Sequence, residues 1–280
     1  LKFQDGSYIK VNDRAGVNFP AISRDSSGTS ILDPGRKSVT FEMYVHMPPV
    51  VNEGQILLQK LSGTQHGFTV GIRESLSTDN ADVFMSFVSA SAVMTVTGNL
   101  RKNDHFTHLA TVYDRTNDVD KMFIYADGVL IASSSTRLII ENIDFNLASL
   151  YIGSGSATVT GSNDAMFVPT STFSGALDEL RIYHSARSQH EIKRYMHQNV
   201  FAEPTLKLYF KFNEPSGVIG QTTTSELNRV VLDSSGNSLS SFIDESTFAF
   251  SLRSTGSITP PLQREQADLN PVLFMLFEPT

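Results

Sequence analysis

Residues 39–46, Val39-Thr40-Phe41-Glu42-Met43-Tyr44-Val45-His46, alternate apolar and polar with period two. Successive strand side chains point to opposite faces, so Val39, Phe41, Met43 and Val45 share one face and Thr40, Glu42, Tyr44 and His46 the other. This reads as a strand of a sheet that covers a core. Outward from it, residues 8–11, 55–60, 68–73, 83–88, 92–97, 106–113, 121–126, 129–132, 150–152 and 177–183 read the same way. Most are separated by clusters of Gly, Asn, Asp or Ser. So many short strands in a row imply a sandwich or a barrel.

Asp127-Gly128 sits between two of these runs, and a two-residue type I′ turn needs positive φ at both positions, so the pair predicts a hairpin. Only one segment reads as helix: Ser188 and Glu191 form a capping box, and Ile192, Tyr195 and Met196 fall on one apolar stripe. It is expected to close a first domain of residues 1–198. Residues 199–280 then form a C-terminal extension, the start of a second similar module or an assembly arm. There Leu206, Leu208, Phe210 and Phe212 alternate again, a polar loop-rich stretch follows, and the tail carries Val272-Leu273-Phe274-Met275-Leu276-Phe277. With so little core of its own, the extension must pack on the first domain, on a missing continuation or on a neighbour. Cutting after residue 198 is expected to leave a soluble sandwich. The tetrapeptide Asp25-Ser26-Ser27-Gly28 recurs at Asp233-Ser234-Ser235-Gly236, which turn chemistry explains without a repeat.

The chain has 280 residues, 22 basic and 29 acidic, for a formal charge of −7, and contains neither cysteine nor tryptophan. Without cysteine there are no disulfides, thiol nucleophiles or thiolate metal sites. The acidic balance disfavours nucleic acid, whose binders carry clustered Lys and Arg. No apolar run approaches the ~20 residues of a membrane-spanning helix. The chain starts at Leu1, with no visible signal peptide or initiator methionine, as in a processed or partial chain.

Five linked pieces carry a family resemblance: Phe106-Thr-His-Leu-Ala-Thr-Val-Tyr-Asp114; Met122-Phe-Ile-Tyr-Ala-Asp127-Gly128; Leu150-Tyr-Ile-Gly153; Phe173-Ser-Gly175-Ala-Leu-Asp178-Glu-Leu-Arg-Ile-Tyr183; and Ser188-Gln-His-Glu-Ile192. In order and spacing they resemble the laminin-G-like branch of the concanavalin A-like lectin/glucanase superfamily, over roughly residues 1–198. Residues 206–237 resemble the opening of another such module. The resemblance implies an all-β, antiparallel two-sheet jelly-roll sandwich with one short helix and a loop-rich C-terminal β region. Phe106 stands where the family has Trp, which keeps an aromatic core plug. The missing disulfide points to a bacterium or a bacterial virus. Asp178 and Glu179 open a core-bound strand, so at least one must be pinned by hydrogen bonds or an ion pair, and Asp178 is assigned a structural role. Gly153 and Gly175 are expected where backbones pass closely.

Most catalytic and metal motifs fail on spacing. His190-Glu191 begins like a zinc helix, but Arg194 occupies the second histidine position and His197 lies too far on. In the Asp114–Asp120 loop, with Asn117 and Asp118 inside, an EF-hand would need Gly at Val119 and an acid at Tyr125. Calcium is common at the family's sandwich rims, so residues 77–82, 114–120 and 162–164 are candidates by resemblance, with no ligand named. Glu141-Asn142-Ile143-Asp144 lacks the glucanase spacing, and Asp178-Glu179 sends neighbours to opposite faces. Gly153-Ser154-Gly155-Ser156-Ala157 is neither a nucleophile elbow nor a dinucleotide loop. Tyr44, Tyr125 and Tyr151 are possible sugar platforms, but their strand positions favour packing.

The expectation is a non-catalytic surface or assembly module, not an enzyme. It would be extracellular or on a virion surface, plausible as a phage tail-associated adhesion protein, and would hold protein subunits or surface glycans. Self-association and bound calcium are compatible with it. The alternative is a carbohydrate-binding module of a secreted glycoside-active enzyme. No catalytic residue is assigned, and no metal or ligand contact is named.

Overall fold

The computed structural model describes residues 1, 3, 6–11, 30–48, 51, 54–64, 66–89, 92–102, 105–116, 119–136, 140, 142–143, 145, 148–161, 165–213 and 230–245. The strands are β1 (Ser7–Val11), β2 (Val39–His46), β3 (Gln55–Ser62), β4 (His66–Glu74), β5 (Asn80–Ser89), β6 (Ala92–Arg101), β7 (Thr107–Asp114) and β8 (Asp120–Ala126). There follow β9 (Val129–Thr136), β10 (Leu150–Ile152), β11 (Thr158–Val159), β12 (Met166–Phe167) and β13 (Ala176–Tyr183). After α1 (Gln189–Tyr195) come β14 (Leu206–Phe210), β15 (Val230–Val231) and β16 (Ser241–Glu245). One sheet has the order β15-β16-β1-β10-β3-β4-β5-β6, the other β14-β13-β2-β7-β8-β9, and β11-β12 is a separate hairpin. The fold is the antiparallel two-sheet jelly-roll sandwich that the alternation implied.

Apolar residues from the inner faces of both sheets form one core. The ring of Phe41 lies 4.5 Å from Phe68 and 6.4 Å from Phe87, which in turn meets Tyr113 at 4.5 Å. The Asp127-Gly128 hairpin is present, with φ of 48° and 71°, and Asp127 Oδ1 accepts from the His108 amide at 2.9 Å. The capping box is also formed: the Glu191 amide donates to Ser188 Oγ, and Glu191 Oε2 accepts from the Ser188 amide. The hydroxyl of Ser188 holds the Glu191 carboxyl below the usual carboxylate range.

The second face of β2 departs from a simple solvent face. Thr40, Glu42 and Tyr44 are buried, because α1 and its flanks lie over them. Thr40 Oγ1 donates to Ser185 O, and the Tyr44 hydroxyl reaches Met196 O and His197 Nδ1. Only Ile192 of the predicted helical stripe is buried; it packs against Ala110, Val112 and Tyr125. Beside it lies a buried layer of charge. Glu42 Oε1 is 2.9 Å from Arg187 Nε, and its Oε2 is 3.6 Å from His108 Nε2 and 3.9 Å from Arg181 Nη1. No donor is aligned for a hydrogen bond to Glu42, so the attraction there is between charges.

Register explains the two acids of β13. Asp178 faces Tyr44 and Arg181 faces Glu42, three residues against two, so a bulge falls at Glu179, whose φ is +51°. The bulge places Glu179 on the outer face with Arg181 while Leu177 and Leu180 enter the core, where simple alternation would have sent neighbours to opposite faces. Arg181 Nη2 donates to Glu179 Oε2 at 2.7 Å, and the Tyr209 hydroxyl donates to the same oxygen. Burial works against the Arg181 charge, but Tyr209, Glu179 and their neighbours hold its affinity for the proton above the ordinary value.

Both glycine expectations hold. A Cβ at Gly175 would lie 2.3 Å from His46 O, and one at Gly153 (φ +82°) would lie 2.6 Å from the Phe3 ring. Phe106, by contrast, is not a core plug. It is half-buried at the end of the sheet, edge-on to His46 at 5.7 Å, since it precedes β7 and lies outside the inter-sheet space.

The described part of the extension joins the first sandwich. β14 pairs with β13, and β16 pairs with β1 and β15. The Asp233-Ser234-Ser235-Gly236 turn buttresses β14: Asp233 Oδ1 accepts from the Tyr209 amide, and Asn237 Nδ2 donates to Leu206 O. The earlier tetrapeptide at residues 25–28 and the apolar run at 272–277 lie outside the described residues.

Candidate ligand-binding face

The outer face of the eight-stranded sheet is where unlike chemistry gathers. Alternation on β4, β5 and β6 sends Ile72, Val83, Met85, Val96 and Leu100 inward, which turns Arg73, Asp82, Phe84, Ser86, Thr95, Thr97 and Asn99 outward. Register then lines them up across strands: Arg73 opposite Asp82 opposite Asn99, and Gly71 opposite Phe84 opposite Thr97.

The row is held by its own contacts. Asn99 Nδ2 donates to Asp82 Oδ1 at 3.0 Å and to Ser75 Oγ at 2.8 Å, and Arg73 Nη2 donates to Thr97 Oγ1 at 3.4 Å. Arg73 Nε lies 4.0 Å from Asp82 Oδ2, with the two side chains 46% and 29% exposed. The guanidinium sits 5.9 Å from the Phe84 ring centroid. At that exposure the Arg73–Asp82 pair adds little to stability, so it is available for contact at small cost to the fold.

One side of the row is walled by the β11-β12 hairpin. Ser86 Oγ donates to Val159 O and accepts from Thr95 Oγ1. The Phe167 ring packs on Phe84 with centroids 4.7 Å apart, against Gly54, where a Cβ would come within 2.5 Å of the ring. A second ring fit occurs at Gly71, where a Cβ would lie 2.7 Å from Phe84. Between hairpin and row is an open pocket of ≈ 340 Å³, lined by Gly54, Arg73, Glu74 and Thr160 with Met166, Phe167 and Val168. Met166 and Val168 are 46% and 59% exposed. The pocket thus has an apolar wall on one side and a row of donors and acceptors on the other.

The residues singled out from sequence lie elsewhere or are already engaged. Asp120 Oδ2 accepts from the Tyr113 hydroxyl and the Ile140 amide, and its carboxylate lies 3.9 Å from Arg115. Asp114 Oδ1 accepts from Thr116. Of residues 77–82, Asp82 belongs to the row with Arg73 and Asn99, while Ser77 Oγ accepts from the Asp79 amide. Asn117, Asp118, residues 162–164, Glu141 and Asp144 lie outside the described residues. Among the described residues no three or more His, Asp or Glu side chains group as metal ligands. His190 is exposed on α1, whereas His197 meets Tyr44. Ser156 of the glycine-flanked loop is tied to Gln59, whose Oε1 accepts from the Ser156 amide at 2.7 Å. Of the three tyrosines weighed as platforms, Tyr44 and Tyr125 are buried, and only Tyr151 is half-buried on the outer sheet face, 5.9 Å from Tyr8. Arg73, Thr97, Asn99 and Phe167 were not anticipated. Their alternation was visible, but the register that joins them is not a property of any one strand.

The sheet order and the buttressing helix define the class of a concanavalin A-like sandwich. A family profile, Laminin_G_3, described as Concanavalin A-like lectin/glucanases superfamily, matches residues 8–193, and the chain belongs to that family. Among solved structures it is similar to a Bacteroides ovatus protein whose description proposes carbohydrate binding. That match has 19% identity and a TM-score of 0.53, covering 88% of this chain and 60% of the other. Weaker likenesses include a heptameric SAP-like pentraxin from Limulus polyphemus (14% identity, TM-score 0.44, covering 67% of this chain and 80% of the other). Another is the CBM40 of Ruminococcus gnavus IT-sialidase (13%, 0.42, 69% and 94%). No curated protein sequence matches the chain. Among the described residues, no helix is long and apolar enough to cross a membrane.

Proposed function

We propose that this chain is a non-catalytic binding module that holds a glycan on the outer face of its eight-stranded sheet. The observation that carries the reading is the row Arg73–Asp82–Asn99 beside the pocket walled by Phe167, Met166 and Val168. A pyranose has one apolar C–H face and a rim of hydroxyls. Strands are spaced about 4.8 Å apart, so side chains on adjacent strands can meet successive hydroxyls: Asp82 accepting, Arg73 donating, Asn99 doing both. Each hydrogen bond to a charged partner contributes roughly 1.5–3 kcal/mol, and the apolar wall supplies area for the ring. A few convergent polar groups in a concave apolar setting are the usual composition of a small-ligand site.

The finer setting belongs to the same proposal: an extracellular or virion-surface protein, with the glycan as its attachment point. An assembly role with protein subunits is the second reading. It is favoured by the apolar run at 272–277, which suits docking on a neighbour. The test is titration calorimetry against an oligosaccharide panel, with and without a calcium chelator. The expected result is binding to at least one member, lost in Arg73→Met, with no conversion of the bound sugar. A chelator-sensitive signal would add calcium to the site. Binding that ignores Arg73→Met, or no binding together with stoichiometric presence in particles, would replace the glycan reading with the assembly one.

A further inference from the structure

We infer that this face takes uncharged sugar residues and discriminates against those bearing a carboxylate; the inference rests on the glycan reading above. The pocket edge holds one guanidinium and two carboxylates. Arg73 faces Asp82 at 4.0 Å, and Glu74 lines the same pocket. A carboxylated sugar would therefore bring a third negative charge to a site whose single cation is already matched, and like charges brought together at an interface are a strong penalty. Geometry adds to the charge count. A guanidinium grips a carboxylate through two parallel N–H groups, but here Nη2 is turned to Thr97 Oγ1 and the Nε side to Asp82. The fork is thus partly committed before a ligand arrives. A neutral diol needs no such fork, because Asp82 can accept a hydroxyl proton while Arg73 and Asn99 donate to neighbouring oxygens. The formal charge of −7 on the whole chain gives no long-range attraction for an anion either.

The experiment titrates the whole chain with matched oligosaccharides that differ in the carboxylate: lactose against 3′-sialyllactose, galacto- against galacturono-oligosaccharides, and gluco- against glucurono-oligosaccharides. At least one neutral member is expected to bind about tenfold or more tighter than its acidic counterpart, with an affinity that changes little with salt because no net charge is neutralised. Glu74→Gln is expected to narrow that gap by easing the acidic partner. A carboxylated member bound more tightly, weakening with salt and lost in Arg73→Met, would overturn the inference and leave the glycan reading standing. A gap that Glu74→Gln leaves untouched would overturn the charge argument. Failure of every member to bind, or binding unchanged in Arg73→Met, would overturn both.

Discussion

Replacing Glu42 by Gln keeps the shape of the side chain and removes the one charge that Arg187, Arg181 and His108 surround at 2.9, 3.9 and 3.6 Å. All four side chains are at least nine-tenths buried. With an effective dielectric of about 20, the two arginine contacts are worth roughly 6 and 4 kcal/mol of gross attraction. Much of this only offsets the cost of drying the ions. What remains after deletion is two buried cations, one still matched by Glu179 and the other, Arg187, set against the rings of Tyr183 and Tyr195. Breaking a buried pair from one side costs about 3–5 kcal/mol, out of a total stability of about 5–15 kcal/mol. The assay is urea unfolding followed by far-ultraviolet circular dichroism and tyrosine fluorescence, the chain having no tryptophan. A loss below about 1 kcal/mol, the range of an exposed pair, would refute the reasoning, since it would mean that water reaches Glu42.

Acid should destabilise the protein through His184. Burial, with Lys207 and Lys37 nearby, pulls its pKa down to about 3. The unfolded chain takes up the proton from about pH 6.5 and the folded one only near 3, so stability falls as pH falls through that window. The loss is up to ~4 kcal/mol at about 1.4 kcal/mol per pH unit, and His184→Gln should flatten the profile measured by denaturant titration at each pH. Cutting after residue 198 removes the β14 ladder from β13, the Tyr209 hydroxyl from Glu179 and β16 from β1. The expected product is aggregated or unfolded, and a soluble, cooperatively melting fragment would count against that. Gly175→Ala should cost about 1–3 kcal/mol in thermal or urea unfolding, because the new methyl meets His46 O at 2.3 Å and the Phe173 ring at 2.4 Å. A neutral result would mean that the two segments separate easily.

The sequence by itself determined what is local. Alternation in residues 39–46 determined the strand and its inner face, Asp127-Gly128 the hairpin, and Ser188 with Glu191 the start of the helix, because each is decided by side-chain direction, φ preference or a bond three residues away. The five linked pieces likewise carried the family. Tertiary structure decided everything that depends on register and cover. Which of Asp178 and Glu179 meets Arg181 turns on one extra residue in β13. Tyr44 and Tyr125 are closed off while Tyr151 is left on an outer face because a helix distant in sequence lies over one sheet only. Arg73, Asp82 and Asn99 sit 9 and 17 residues apart and become a row solely because two hairpins align them, and the hairpin that walls their pocket is two short strands too weakly patterned to be read. Long-range pairing is settled by how well whole faces pack, a sum over many contacts that no single stretch of chain contains.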